Sequence, residues 1–296
     1  MRRRTFLASG LGMALNSVRL GEALAAPAGS PNLAELRIGL TPVFLDDQAG
    51  FLRRWHDDLQ VRLARPVVFV QRGSYREIVD LLAQDKIDAA WLCGFPFVRN
   101  RARLDLLAVP LFEGRPWYRS YLIVPSVDQN SRSILDLRGK VFAYSDPDSN
   151  SGYLYPNYRL LSLRERGESF FGKTFFTWAH RKVVEAVASQ VAHGGAVDGY
   201  VWETLARFHP DLTTRTRVLA RSPEFGFPPF VARRGLPRQD FLALRQALVG
   251  MVDNPAGREL LGALNLSGFT AGDERMFSTI EQMAKAVEAR RDAGAA

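Results

Sequence analysis

Lys140-Val141-Phe142-Ala143-Tyr144-Ser145-Asp146-Pro147-Asp148-Ser149-Asn150-Ser151-Gly152-Tyr153-Leu154-Tyr155-Pro156 runs from an apolar stretch into turn formers and hydroxyls. Lys140–Tyr144 reads as a buried strand, and Tyr158-Arg159-Leu160-Leu161-Ser162-Leu163 reads as a helix. The segment between them is therefore a loop joining a strand end to a helix start. Helix N-termini carry unpaired N–H groups and about half a positive charge, which favour anions. The hydroxyls of Ser149 and Ser151 add donors, and Gly152 lets the backbone approach a ligand. One reading is a small oxyanion pocket. The other is an ordinary helix start capped by Ser149 or Ser151.

On both sides the chain alternates strand-like and helix-like runs. Leu36–Leu40, Val67–Gln71, Ile87–Leu92 and Leu104–Leu111 read as strands. Asp47–Leu63 reads as a helix, with Phe51, Trp55, Leu59 and Leu63 at spacing four, and so does Tyr75–Gln84. Cys93-Gly94-Phe95-Pro96-Phe97 reads as a turn-rich loop. This β-α-β-α-β order implies a mostly parallel sheet covered by helices. Further on, Ser120–Val124, Thr174–Trp178, Ala196–Trp202, Arg217–Arg221 and Phe230–Ala232 read as strands. His180–His193 and the segments from Arg238 onward read as helices. A second α/β unit inserted into a first fits this order. The chain crosses near Tyr118–Val124 and returns near Leu219–Val231, making a hinge beside a cleft.

Residues 1–25 read as an export signal: Arg2-Arg3-Arg4, an apolar core from Phe6 to Leu20, and Ala23-Leu24-Ala25 as an A-x-A cleavage site. Arg3-Arg4-Thr5-Phe6-Leu7 fits the twin-arginine pattern, a plain secretory signal being the alternative. The expected location is the periplasm. Setting aside the +3 of that segment, the +8 chain becomes a mildly basic mature protein of +5. Its arginines are dispersed, which suits small anions and argues against nucleic acid. The lone cysteine, Cys93, excludes an internal disulfide and reads either as a buried small hydrophobe or as a functional thiol. His56, His180, His193 and His209 show no metal-ligand spacing, and no glycine-rich nucleotide loop occurs. No cofactor and no metal are expected.

Four blocks resemble a known family. They are Leu36–Pro42 with the Trp55 helix; Ser74–Val79 with Lys86–Trp91 and Gly94–Phe97; Leu137–Ala143 with Asp146–Gly152 and Pro156; and His180–Val187 with Val197-Asp198-Gly199 and Glu203. The third fits D-P-x-S-x-S-G-x-x-x-P at every defined place. Together, over about residues 34–265, they resemble the phosphate, phosphite and phosphonate binding proteins of periplasmic transport systems. The resemblance implies an α/β, two-lobed type II periplasmic binding fold with two hinge-crossing strands and a central ligand cleft. The expected lobes are 33–120 plus 222–296, and 121–221. It also implies ligand contacts from Ser149, Asn150, Ser151, the Gly152 amide, His180 and Glu203, with Tyr75 as a cleft wall. Phe97 stands where the family often has tyrosine.

Cys93 is the main departure, because it falls where the first lobe meets the cleft. Some relatives sense arsenite through a cysteine and signal to a membrane kinase. The expected partners are therefore a small oxyanion and either the permease of an ABC transporter or a sensor histidine kinase, with the protein a monomer. The enzyme alternative would need Cys93 as a nucleophile with His180. No orienting third group is visible, and a non-enzyme is expected.

Overall fold

In this computed structural model, residues 34–41 and 49–295 are described; the export-signal segment, Pro42 and Asp47 lie outside them. Apolar runs bounded by turns make the first strands and helices: β1 (Leu36–Leu40), α1 (Ala49–Leu63), β2 (Val67–Gln71), α2 (Tyr75–Ala83) and β3 (Ala89–Trp91). α3 (Gly94–Arg99) and β4 (Leu104–Leu111) follow. Cys93–Phe97 was expected to be a loop. Instead Cys93 is the N-cap of α3, because a proline inside the first turn loses no hydrogen bond there.

The chain then passes through the short β5 (Trp117–Tyr118) into β6 (Ser120–Pro125), a 3-10 turn at Ile134–Leu137, and β7 (Val141–Tyr144). After the hydroxyl-rich segment come α4 (Tyr155–Ser162), α5 (Gly167–Phe170), β8 (Lys173–Phe176), α6 (His180–Ala188) and β9 (Gly194–Asp198). Next are α7 (Gly199–Phe208), α8 (Pro210–Thr213) and β10 (Thr216–Arg221). The expected strand at Ala196–Trp202 is thus split. The Asp198 carboxylate accepts from the Tyr200 N–H and starts a helix there, which puts Tyr200, Val201 and Leu205 on one buried face. β11 (Phe225–Gly226), β12 (Phe230–Arg233), α9 (Arg238–Val249), α10 (Pro255–Ala263), β13 (Gly268–Thr270) and α11 (Ser278–Ala295) complete the chain.

Two large sheets result. One has the order β13-β4-β12-β3-β1-β2, the other β10-β6-β9-β7-β8. β1 pairs in parallel with β2 and β3, and β7 with β8 and β9; β12, β13, β6 and β10 pair antiparallel to their neighbours. The chain leaves the first sheet after β4 and returns to it at β12. On the way it passes the antiparallel pair β5 and β11, in which Tyr118 faces Phe225. Both sheets belong to one compact unit, residues 34–296. Beside β3 and β12 the first sheet packs an aromatic cluster: Trp55 meets Trp91 and Phe230 edge-on, and Trp91 stacks on Phe230 at 5.2 Å. Among the described residues, no helix is long and apolar enough to cross a membrane.

Candidate functional site

The segment after β7 folds as a π turn, Asn150–Leu154, leading directly into α4. Ser149 caps it, its Oγ accepting from the Gly152 N–H at 3.0 Å. Ser149, Asn150 and Ser151 are all 0% exposed. A run this polar is buried only where partners are supplied. Some are. The Asn150 amide group donates from Nδ2 to the Tyr118 hydroxyl at 2.8 Å, and the Ser151 carbonyl accepts from Ser120 Oγ at 2.7 Å. Yet among the described residues Ser145 Oγ, Asn150 Oδ1 and Ser151 Oγ are buried without a hydrogen-bond partner, Ser151 lying beside the Tyr118 hydroxyl. Each such group costs about 1–3 kcal/mol if left unmet. Gly152 makes the turn possible, because a Cβ there would fall 1.9 Å from Ser145 Oγ and 2.7 Å from Ser145 Cβ.

His180 opens α6 against this loop. The Asp198 N–H donates to its Nδ1 at 3.1 Å, so that nitrogen is bare and the proton sits on Nε2. Nε2 lies 3.4 Å from the Tyr75 hydroxyl and 3.5 Å from Ser149 Oγ, both long enough to leave the donor weakly engaged. Burial pushes the His180 pKa down to about 3, so the ring stays neutral and the tautomer fixed. Burial acts oppositely on Asp198, raising it to about 8 although the Tyr200 and Val201 N–H groups favour the carboxylate. Asp146 is also raised by burial. Among the described residues, the cluster contains no lysine or arginine; Arg76 and Arg99 pair with Asp148 at its rim, and Arg99 also with Glu288.

The first sheet supplies the other wall. The Tyr75 N–H donates to Asp146 Oδ2 at 3.1 Å. Cys93 Sγ accepts from the Asn150 N–H at 3.2 Å. Burial pushes its thiol up to about 11, so it is protonated at neutral pH. Of the nine candidate positions, the structure thus brings together Ser149, Asn150, Ser151, Gly152, His180, Tyr75 and Cys93. The amide of Gly152 is engaged by Ser149. Phe97 stands apart, fully buried with its ring edge-on to Phe277 at 5.0 Å. So does Glu203, which accepts from the Tyr121 hydroxyl at 2.9 Å. Sequence reasoning gave no role to Ser145, Tyr118, Asp146 or Asp198. Ser145 and Asp146 lie in the quoted loop, and Asp198 sits at a strand-to-helix junction, a position that could have drawn attention to it.

A profile of the family described as ABC transporter, phosphonate, periplasmic substrate-binding protein matches residues 38–277. The chain belongs to this family. It is similar to the phosphate-import protein PhnD of Mycolicibacterium smegmatis, 27% identical over 158 residues. That alignment covers 50% of this chain and 48% of the relative, about half of the relative's length. It is also 24% identical to the phosphonates-binding periplasmic protein of Escherichia coli over 234 residues, 77% of this chain and 69% of that one. In structure it resembles PhnD1 of Prochlorococcus marinus in complex with methylphosphonate, with a TM-score of 0.78 and 20% identity over 86% of this chain and 98% of that one. Family members are periplasmic substrate-binding proteins. The two-lobed type II binding fold read from the sequence agrees with these neighbours. Among the described residues, no group of three or more His, Cys, Asp or Glu side chains could hold a metal ion.

Proposed function

We propose that this protein captures a small tetrahedral oxyanion of the phosphonate, phosphite or phosphate kind and delivers it to the permease of an ABC transporter. The observation that carries this reading is two buried hydroxyls without a partner among the described residues, on Ser145 and Ser151, beside a histidine whose Nε2–H is held as a donor, with the Asn150 Oδ1 acceptor left for a protonated ligand oxygen. The Ser145, Ser149 and Ser151 hydroxyls and the His180 Nε2–H are the donors for ligand oxygens, with the Tyr75 hydroxyl covering them from the first-sheet side. Asp146 and Asp198 lie close by without a cation inside the cluster, so a singly charged, protonated oxyanion suits the site better than a dianion. The lobes are residues 33–120 plus 222–296, and 121–221, hinged at the two crossings and closed over the ligand through the Tyr75–Asp146 and Cys93–Asn150 contacts. Export follows the twin-arginine pattern at Arg3-Arg4-Thr5-Phe6-Leu7.

The protein binds without turnover. His180 offers no general base, because one ring nitrogen is protonated and the other is occupied by the Asp198 N–H. Burial holds the Cys93 thiol protonated at neutral pH, so it offers no resting nucleophile for turnover. Calorimetric titration of the mature protein with methylphosphonate, phosphite and phosphate tests the proposal. Saturable binding of at least one is expected. Absence of heat and of a thermal shift with all three would overturn it.

A further inference from the structure

Behind the hydroxyl-rich loop, on the α4 side of the second sheet, lies a separate cavity of about 280 Å³. Its floor is apolar, formed by Leu122, Ile134, Pro156 and Leu163, and no acidic residue lines it. Two arginines do: Arg132 from the segment before the 3-10 turn and Arg159 from α4; Arg221 of β10 borders it too, but its side chain turns with Tyr121 to the other face of the sheet. Among the described residues, neither Arg132 nor Arg159 makes an ion pair. Arg132 Nη1 donates to the Gln129 carbonyl at 2.6 Å, and Arg159 Nη1 to Ser162 Oγ at 3.3 Å. Arg221 lies over the Tyr121 ring at 4.8 Å. Acids nearby are engaged elsewhere. The Asp136 carboxylate accepts the backbone N–H groups of Arg132 and Ser133, Glu165 pairs with Arg138, and Glu203 accepts from Tyr121. Other arginines of this protein are paired, as in Arg62–Asp58, Arg65–Asp240 and Arg233–Asp88.

We propose that this cavity binds a small amphipathic organic anion, a carboxylate or phosphate monoester carried on a compact apolar body. Two cations from separate elements, Arg132 and Arg159, border one concavity and supply forked donors for the anionic head. The apolar floor buries the body, and the volume sits near the lower end for small-molecule pockets, about 300 Å³. Ser133 and Tyr155, also on the lining, add hydroxyls. Ser120, whose hydroxyl is bonded to the Ser151 carbonyl, also lines the cavity, so the two sites share a wall without sharing a ligand.

Phenyl phosphate titrated into the mature protein presaturated with methylphosphonate tests this. One equivalent is expected to bind, more weakly as salt rises, while benzyl alcohol, which has the ring without the charge, does not bind. Arg132→Gln and Arg159→Gln should each weaken phenyl phosphate by about tenfold, and the double variant should abolish its binding. Methylphosphonate affinity and melting temperature should be unchanged in all three. Repeating the titration in Ser149→Ala/Ser151→Ala protein separates this site from the oxyanion site, because phenyl phosphate should still bind there with wild-type affinity. Loss of binding in that variant, or undiminished binding in the double arginine variant, would overturn the proposal. So would no binding to wild type at millimolar concentration, or capture of an acidic peptide but not of phenyl phosphate.

Discussion

The two walls of the buried cluster are built from different materials. The wall from the second sheet is a polar turn wrapped on itself: Ser145, Ser149, Asn150 and Ser151, backed by His180. Several of its oxygens have no partner among the described residues. The wall from the first sheet is an extension of an aromatic core. Cys93 and Tyr75 present single polar atoms from elements otherwise packed on apolar neighbours, and both atoms already have partners in the loop or on His180. The difference assigns separate work to each side. On the proposed function, the second-sheet wall would give its donors to the ligand and the first-sheet wall would cover it.

Gly152→Val would break this asymmetry most severely. Its Cβ would meet Ser145 at 1.9 Å, and the π turn could not form as it stands. Methylphosphonate binding should fall below detection, with a stability loss of about 1–3 kcal/mol seen as a lower melting temperature. Tyr75→Phe tests the cover. It removes one neutral hydroxyl, worth about 0.5–1.5 kcal/mol, so affinity should fall by no more than about tenfold and stability should barely change.

Much of this arrangement was legible in sequence. The apolar runs at Leu36–Leu40, Val141–Tyr144 and Phe230–Ala232 announced their strands, and the hydroxyl-rich segment announced the turn between β7 and α4. What was not legible depended on contacts made across the fold. Tyr200-Val201-Trp202 favours a strand on residue type, but the Asp198 side chain turns the chain into a helix. Gly94 looked like a loop signal. It is small because a Cβ there would lie 2.6 Å from Ile280, far along the chain in α11. Phe97 was placed at the ligand by analogy, yet its ring packs on Phe277. The unmet oxygen of Ser145 and the amide that sets the His180 tautomer likewise emerge only once β7, β9 and α6 are side by side.

Two smaller effects sharpen the comparison. Asp198, with its pKa raised to about 8, binds a proton in the folded state that the unfolded chain releases near pH 4. It therefore lowers stability as pH rises across that window. His180, depressed to about 3, acts in the opposite sense up to about pH 6.5. The two offset each other in mildly acidic solution, and above it Asp198 alone remains. Wild-type stability should thus fall relative to Asp198→Asn by at most about 1.4 kcal/mol per pH unit between roughly pH 6.5 and 8 in urea titrations. A difference that stays flat there would contradict a buried protonated Asp198. Asp148→Asn removes the rim pairs to Arg76 and Arg99, both partly exposed. Its effect on methylphosphonate affinity should be within about fivefold and should vanish at high salt.

The division between a donor wall and a covering wall is tested most directly by parallel calorimetric titrations of methylphosphonate into Ser149→Ala/Ser151→Ala and Cys93→Ser. The first variant loses two donors to a charged ligand and should bind at least about a hundredfold more weakly than wild type. The second keeps an acceptor for the Asn150 N–H and should bind within about threefold. Wild-type affinity in the serine double variant, or a larger loss in Cys93→Ser than in that variant, would contradict the account.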